Sequence, residues 1–426
     1  MMQFYRVTRT CSVMVGRIRV DRDPPPRDPE HPQRIATSHI FCGQVHWEIR
    51  AIKEVCGEDA VEVVPQAQVM HLLPTEILPS SEGRSLGYQL QALSGIRAIY
   101  RIVLINGAGT MLGDNLVGAG VFHRLQSLLY SQGIDLRLTV VLGANAAQGS
   151  VSLWKRWQWV DQVEPCGVSL RRIQTFDAML DFSRLLRKDG YSSENFFDFY
   201  LHHYGADRAL FPPASRNPAI RIQRKALEEA KAFLAPYSRM RLVLLQSKAS
   251  TEARSMPMRF VHRLLKHVLN CQSDGSVIVM IFGTIPEGLE DHHEQILCCD
   301  EFTRHALDRY LALISLADRI MTVDSLALHV AMGLNKQGDA YFSLSPPEIR
   351  LRYAPQINGY LIPGAQALPY WGKHKSDEAW SGYAALYEQA WERLEVAHSN
   401  QLGLLDCCAH QTDQACITNS RLGSVE

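Results

Sequence analysis

The chain has 426 residues, of which 46% are hydrophobic and 21% are charged. This length exceeds that of one ordinary domain and the composition is that of a globular protein, so we expect at least two domains with separate cores. The 44 basic and 44 acidic side chains cancel. A balanced charge gives no long-range attraction for a polyanion, which argues against nucleic acid or an anionic membrane surface as the main partner.

The N-terminal part of the chain shows no secretory signal, because arginines interrupt its first twenty residues. No apolar run approaches the roughly 20 residues that cross a bilayer, so we predict a cytoplasmic protein without a transmembrane segment. Residues 22–34 are rich in proline and charge, and residues 1–34 are interpreted as a short segment with a linker. Residues 35–99 contain strand-like pieces at Ala60–Pro65 and Gln68–Leu73 and are interpreted as a small β-rich appendage.

A pattern typical of parallel α/β domains begins at Tyr100. Arg101–Asn106 is an apolar run that predicts a buried strand, and after several glycines Asn115–Gln132 has the apolar spacing of a helix. Leu136–Leu142 and Phe176–Phe182 predict further strands of the kind that is covered on both faces. Residues 100–235 therefore predict a first Rossmann-like domain.

The same pattern restarts in the second half of the chain. Residues 236–398 therefore predict a second Rossmann-like domain, and residues 399–426 a loose tail. The predicted fold class is α/β, with two doubly wound domains that face each other across a cleft. The predicted helices are Arg221–Leu234, Pro257–Asn270, Leu307–Leu316, Ala327–Gly333 and Asp377–His398, and the predicted strands are Arg241–Gln246, Ser276–Phe282 and Arg319–Thr322.

The first segment with chemical potential is the glycine-rich loop Gly107–Asn115. Glycines let the backbone approach a ligand closely, and the helix dipole favours a carboxylate such as Asp114 at a helix start. The alternative is a tight turn in which Asp114 only caps the helix. Dinucleotide binding is disfavoured, because the glycine spacing departs from the usual fingerprint and no acidic residue ends the second strand.

Two later segments suit a phosphate group. Leu244–Pro257 joins small hydroxyl residues, Lys248 and Arg254 to the start of a helix, where free N–H groups and cations converge. In Ser315–Lys336, a strand ends at Asp324 and the next helix follows at once. The alternatives are a solvated surface loop for the first segment, and an ordinary helix cap with a structural histidine for the second.

Together these segments resemble the heptosyltransferase family, a group of GT-B glycosyltransferases (family nine). The likeness covers about residues 100–395, and Leu326 departs from it because the family usually has glycine there. The strongest matches are Leu112–Asp114 to the family's Leu-Gly-Asp turn and Leu244–Pro257 to its strand–loop–helix with a cation. Ala317–His329 also matches the family's late signature Ala-Asp-x-x-(apolar)-x-x-Asp-Ser-x-x-x-His, which is followed by a Gly-x-x-Lys that ends at Lys336. Weaker matches are Trp157–Glu164, Phe176–Asp181 and the Pro-x-x-x-Arg-x-x-Tyr-x-Pro loop in Ser343–Pro355.

The resemblance implies an inverting transfer of a sugar from a nucleotide-diphosphate donor, typically ADP-heptose, to a saccharide such as the lipopolysaccharide core or to a protein hydroxyl. It implies that residues 100–235 bind the acceptor and residues 236–398 the nucleotide sugar, with no metal and no other cofactor. By position, it makes Asp114 the general base, flanked by Gly113 and Asn115 in the acceptor loop, and Arg254 the cation that offsets the diphosphate charge. It further implies Ser250, Asp324 and Ser325 as the phosphate site, Glu287 as the ribose ligand, and His329 as a donor-site residue that buttresses the helix start.

Three further interpretations remain at this point. The cysteines at 298, 299, 407, 408 and 416 invite a metal site, but adjacent cysteines are a poor chelating arrangement and we predict none. A sugar-nucleotide epimerase is compatible with the same scaffold. A non-catalytic nucleotide-binding protein is suggested by Leu326 and by the unusual N-terminal part.

Overall fold

A computed structural model describes most of the chain, and the described residues form three larger β-sheets and one two-stranded sheet. The described residues are 3–15, 18–25, 39–43, 47–80, 85–94, 98–143, 145–165, 167–251, 254–270, 277–283, 285–304, 306–362 and 385–390. The predicted linker lies largely outside them, as does most of the predicted helix Asp377–His398, of which residues 385–390 are helical, and so does the predicted tail. In the described part of the chain, no helix combines the length and the apolar character needed to cross a bilayer.

The N-terminal module is an antiparallel sheet with a hairpin beside it. Its sheet has the order β10-β4-β1-β5, and β2 pairs with β3. Phe4, Cys42 and Val64 from this sheet pack with Val103 and Met179 of the neighbouring parallel sheet, so the module covers one face of that sheet. The elements are β1 (Gln3–Val7), β2 (Cys11–Val15), β3 (Ile18–Arg22), β4 (Phe41–Gly43), α1 (Trp47–Cys56), β5 (Val61–Val64), α2 (Gln66–Val69) and β10 (Val168–Ser169).

The structure divides this region differently from the sequence interpretation. β1 pairs with both β4 and β5, so the first residues belong to the same sheet as the predicted appendage. The strand predicted at Gln68–Leu73 is wrong: α2 and a further helical turn occupy it, because Val69, Leu72 and Leu73 have helical spacing. Residues 75–80 and 85–94 belong to the first parallel domain, since β6 (Thr75–Glu76) pairs with β11 (Ala178–Asp181), and Leu86 and Leu90 pack in the core of that domain.

The first parallel domain has the strand order β6-β11-β7-β8-β9. Its central strands β11, β7 and β8 are mostly buried, with the N-terminal module on one side and α4 and α7 on the other, which explains their apolar runs. Besides β6 and β11, the elements are α3 (Leu86–Ser94), β7 (Ile99–Ile105), α4 (Leu112–Ser131), β8 (Asp135–Leu142), α5 (Ser150–Lys155), β9 (Val160–Pro165), α6 (Leu170–Ile173) and α7 (Phe196–His203).

The second parallel domain has the strand order β14-β13-β12-β15-β16-β17, which is the order of a doubly wound Rossmann fold. The predicted fold class of two Rossmann-like domains is confirmed. The elements are α8 (Arg224–Leu234), β12 (Arg241–Gln246), α9 (Met258–Asn270), β13 (Val277–Ile281), β14 (Ile296–Cys298), α10 (Asp300–Thr303), α11 (Leu307–Leu316), β15 (Arg319–Val323), α12 (Leu326–Gly333), β16 (Gln337–Phe342), α13 (Pro347–Arg350) and β17 (Ile357–Leu361).

The two parallel domains meet along a continuous apolar contact. Helix α4 of the first packs against α12 of the second, and α8 packs against α11, so the second domain begins before the predicted boundary at residue 235. The connecting segment passes between α4 and α12 at two glycines: a methyl group on Gly120 would lie 2.6 Å from the Ala219 carbonyl oxygen, and one on Gly333 would lie 2.5 Å from that of Pro218. This packing brings the starts of α4 and α12 together.

Candidate active site

The candidate site lies where the strand order reverses in both parallel sheets. In the first sheet, β7 is flanked by β8 and β11, and the chain leaves β7 into the glycine loop that leads to α4. In the second sheet, β12 is flanked by β13 and β15, and the loops after β12 and β15 lead to α9 and α12. Ligands of open α/β sheets bind outside the carboxyl ends of the strands at such reversal points. Both reversal points contribute residues to this site.

The glycine loop is held by Asn115, the first fully buried residue of α4. Its Oδ1 accepts hydrogen bonds from the Ala108 backbone N–H (3.2 Å) and from Trp154 Nε1 (2.8 Å), while its Nδ2 donates to the Gly109 and Met111 carbonyls (2.8 and 2.9 Å). Every polar atom of this side chain is therefore engaged inside the turn. Asn115 shapes the loop and does not present a polar group to an acceptor, unlike the role that the resemblance implies.

Only glycine fits at position 109 of the same loop, because a side chain there would clash with its neighbours. Its φ is +128°, a conformation that side chains rarely adopt, and a methyl group there would lie 2.5 Å from Leu185 Cδ2 and 3.1 Å from Asp114 Cβ. The turn thus places its backbone directly against the candidate base.

Asp114 lies in the first turn of α4 and is partly buried. Burial raises the pKa of its carboxyl from 3.8 to about 6, because removing the group from water disfavours its charged form. The hydrogen bond from the Tyr191 phenol (3.3 Å) opposes this rise, and so do the positive charges of Arg254 and Arg350, while Asp324 adds to it. A carboxyl with this pKa is largely ionised at neutral pH yet basic enough to take a proton.

Arg254 forms the opposite wall of the site, in the loop between β12 and α9. Its Nη2 donates to Ser250 Oγ (2.6 Å), and its Nη1 donates to the backbone carbonyl of Asp324 (3.2 Å). The same Nη1 lies 3.8 Å from Asp324 Oδ2, which makes a partly exposed ion pair. The structure therefore brings two predicted donor-site residues, Ser250 and Asp324, to the guanidinium of a third, Arg254.

Ser325 precedes α12 in an extended conformation. Its hydroxyl pairs with Thr322 Oγ1 (3.0 Å) and does not cap the helix. Since the first N–H groups of a helix have no partner within it, the start of α12 offers donors to an anion next to Arg254. The departure at Leu326 does not disturb this geometry, because Leu326 simply begins the helix.

His329 lies on α12 and contacts the first domain. A methyl group on Gly113 would lie 3.4 Å from its Cδ2, and its ring packs on Phe196 at a centroid distance of 5.4 Å. Burial lowers the pKa of His329 to about 4, so the imidazole is neutral at physiological pH. The role of His329 as a buttress stays a prediction.

Glu287 follows β13 in an exposed loop on the same edge of the sheet. The loop approaches the donor side of the site, because a methyl group on Gly283 would lie 3.9 Å from Lys248 Nζ. The structure places Glu287 on the same edge of the sheet as the loop after β12, but no hydrogen bond or ion pair joins this carboxylate to Arg254 or Asp324. Its role as the ribose ligand stays a prediction.

Sequence reasoning missed two residues of the site, Tyr191 and Arg350. Tyr191 follows β11 in an irregular segment, and its phenol donates to Asp114. Arg350 ends α13 and is only 6% exposed. The sequence does contain a signal for Arg350, because it is the arginine of the Pro-x-x-x-Arg-x-x-Tyr-x-Pro loop, but the resemblance assigns no function to that loop. No motif in the sequence points to Tyr191.

Among the described residues, no group of three or more His, Cys, Asp or Glu side chains is arranged to hold a metal ion. Within that part of the chain, Cys298 is exposed and Cys299 is buried. The cysteines at 407, 408 and 416 lie outside it, so the prediction of a metal-free protein stays a prediction.

Comparison with protein-family models finds no match, and comparison with curated protein sequences finds none either. Solved structures do match. ADP-heptose LPS heptosyltransferase II of E. coli is 14% identical with a TM-score of 0.48, over 72% of this chain and 99% of that one. A family 9 glycosyl transferase from Veillonella parvula is 14% identical with a TM-score of 0.43, over 68% and 97%. The iron-containing dodecameric glycosyltransferase TibC of enterotoxigenic E. coli is 12% identical with a TM-score of 0.40, over 85% and 87%. These similarities are too low to transfer an activity or a substrate.

Proposed function

We propose that this protein is an inverting glycosyltransferase that moves a sugar from a nucleotide-diphosphate donor to a hydroxyl group of an acceptor. One observation carries the proposal: a carboxylate with a raised pKa, Asp114, faces a guanidinium and a free helix start, Arg254 and α12, that belong to the other domain. The first group suits a general base and the second pair suits a leaving diphosphate. Transfer to an acceptor requires both in one cleft.

In the proposed reaction, the acceptor oxygen attacks the anomeric carbon while its proton passes to Asp114. The bond between the anomeric carbon and the phosphate oxygen breaks, and its electron pair leaves with the diphosphate. Negative charge therefore grows on the diphosphate, where Arg254, Ser250 and the first N–H groups of α12 stabilise it. These groups perform the role that a divalent cation has in other glycosyltransferases, so the proposed reaction needs no metal.

The Asp324 carboxylate has a different part in this scheme. A carboxylate repels a phosphate, so its contribution is to hold the Arg254 guanidinium in place through its backbone and side-chain oxygens. Its Oδ1 is buried and has no hydrogen-bond partner among the described residues. A sugar hydroxyl is the kind of donor group that satisfies such an oxygen.

The finer assignment rests on the family resemblance in the sequence. It makes ADP-heptose the donor, Glu287 the ribose ligand, and a saccharide such as the lipopolysaccharide core, or a protein hydroxyl, the acceptor. Location in the cytoplasm, where nucleotide sugars are made, belongs to the same proposal.

The test is a screen of nucleotide sugars against the full-length protein, read out as nucleoside diphosphate release and as thermal stabilisation. We expect ADP-heptose to stabilise the protein and to be turned over, with loss of turnover but not of binding in Asp114→Asn. Response to UDP-sugars alone overturns the heptose assignment and keeps the class. Turnover to a sugar-nucleotide isomer without acceptor identifies an epimerase, and ADP binding without any turnover, unchanged in Asp114→Asn, identifies a binding protein.

A further inference from the structure

A clasp between the two parallel domains lies directly behind the candidate base. It is formed by Arg350 at the end of α13 and by the segment 191–196 that leads into α7. Arg350 Nη1 donates to the backbone carbonyls of Tyr191 (3.4 Å) and Glu194 (3.2 Å), and Nη2 also donates to Tyr191 (3.4 Å). The guanidinium carbon lies 3.7 Å from the centre of the Phe196 ring.

The same segment also donates hydrogen bonds to the backbone of α13. Asn195 Nδ2 donates to the backbone carbonyls of Ile349 (3.2 Å) and Arg350 (3.0 Å), while Asn195 Oδ1 caps α7 by accepting from the Phe197 N–H (2.9 Å). Arg350 and Asn195 are 6% and 3% exposed. These are hydrogen bonds between backbone and buried side chains in both directions, so the position of segment 191–196 depends on the second domain.

The clasp reaches the candidate base through Tyr191. Arg350 holds the backbone of Tyr191, and the phenol of the same residue donates to Asp114 Oδ1 (3.3 Å). Burying the Arg350 guanidinium costs free energy. Burial lowers its pKa, and its Nε has no hydrogen-bond partner among the described residues. A buried arginine with an unsatisfied nitrogen is expensive for an interface that only needs to be stable, which points to a functional reason for its presence.

We propose that Arg350 is a positioning residue that keeps the Tyr191 phenol on Asp114 and so holds this carboxyl in its proton-accepting form when the two domains are together. The proposal deepens the proposed function and rests on it. The charged and titratable groups that face Asp114 are Tyr191 from the segment after β11, Tyr200 from α7, Arg254 from the loop after β12, Asp324 directly after β15, and Arg350 itself. The Tyr200 phenol donates to the Ala108 carbonyl (2.6 Å) and stays neutral, because burial raises its pKa. Neutral His329 on α12 lies beside the neighbouring Gly113.

The perturbation is Arg350→Met, which keeps a long apolar side chain against Phe196 but removes the charge and the donors. Two stabilisers of the ionised carboxyl then weaken together, so its pKa rises above the present value of about 6. We expect the acidic limb of the pH profile of kcat/KM to move up by about one unit, hence a roughly tenfold loss well below pH 6 and a much smaller loss at pH 8. Tyr191→Phe removes only the hydroxyl group, so we expect it to move the acidic limb upward by a smaller amount.

Two measurements separate this inference from the proposed function. Carbon-13 NMR of labelled aspartates, assigned by difference from Asp114→Asn, follows the carboxyl directly and needs no turnover. An upward shift in Arg350→Met supports the positioning role even if no nucleotide sugar is used, in which case only the proposed function falls. An unchanged carboxyl titration, together with a loss of activity that is equal at all pH values, overturns the positioning role and leaves the proposed function standing.

Arg350→Lys guards against a variant that fails to fold, because it keeps the charge. A lysine cannot hold both carbonyls in the same fork-like geometry, so we expect a limb between those of the parent and Arg350→Met. If Arg350→Lys folds and has the same acidic limb and the same carboxyl titration as Arg350→Met, the charge at position 350 plays no part. If it has those of the parent protein, the hydrogen bonds of the clasp play no part. Either coincidence contradicts the proposal.

Discussion

Replacing Asp114 by asparagine should make the protein more stable at neutral pH, although it removes the proposed base. Burial raises the pKa of this carboxyl from 3.8 in the unfolded chain to about 6. Between those two values the folded state binds more protons than the unfolded state, so folding stability falls as the pH rises through this window. Asparagine removes the cost because it has no charge to bury.

The size of the effect follows from the two pKa values. A difference of about two units corresponds to about 3 kcal/mol at pH 7 and above. Because the carboxyl is partly exposed and water screens it, we expect about 1–2 kcal/mol, which raises the melting temperature by roughly 2–8 °C for a domain of this size.

The assay is thermal unfolding of the parent and of Asp114→Asn from pH 4 to pH 8. The advantage of the variant should be small at pH 4, grow up to about pH 6 and stay constant above about pH 7. Asp291→Asn, at an exposed carboxyl outside the site, is the matched control and should show no such growth. If the variant gains nothing between pH 4 and pH 7, or is less stable than the parent at pH 8, the carboxyl is not held at a cost and the reasoning is wrong.

Three further variants test the parts of the site separately. Asn115→Ala leaves two buried donors, the Ala108 N–H and Trp154 Nε1, without an acceptor and should lower the free energy of unfolding by about 2–4 kcal/mol, measured by denaturant titration. Gly109→Ala should lower kcat by more than Gly133→Ala, since both glycines have positive φ but only Gly109 has neighbours within 4 Å; equal effects would mean that crowding at the base does not matter. Arg254→Gln should weaken ADP binding about tenfold or more in calorimetry, whereas exposed Arg259→Gln should not, and unchanged affinity would remove Arg254 from the donor site.

The second domain was predictable where the chain reads as uninterrupted apolar strands and amphipathic helices. Arg241–Gln246 and Leu307–Leu316 have the predicted bounds. The strands Gln337–Phe342 and Ile357–Leu361 were missed because polar residues interrupt them. In the first of these, Asp339 is buried in an ion pair with Arg319 (2.6 Å), a compensation that no local pattern reveals.

The N-terminal module was less predictable because its sheet depends on distant pairings. β10 follows residue 165 in the chain yet pairs with β4, near residue 42. Short strands of this kind carry too few residues for a pattern, and their partners are set by packing against the parallel sheet. The linker interpretation therefore separated segments that belong to one sheet.

The candidate site was predictable only in part. Asp114, Arg254 and Asp324 follow strands at the reversal points of a parallel fold, so topology alone predicts that they converge. The role of Asn115 and the contribution of Tyr191 and Arg350 depend on hydrogen bonds across the fold, which residue type and spacing do not encode.

The most direct test of the central claim is single-turnover kinetics with ADP-heptose and an acceptor hydroxyl, comparing the parent with Asp114→Asn and Arg254→Gln. The account predicts that Asp114→Asn binds ADP as tightly as the parent but transfers at least a hundredfold more slowly, and that Arg254→Gln loses donor affinity. Transfer by Asp114→Asn at the parental rate, with unchanged pH dependence, would contradict a reaction that depends on a carboxylate of one domain facing the diphosphate site of the other.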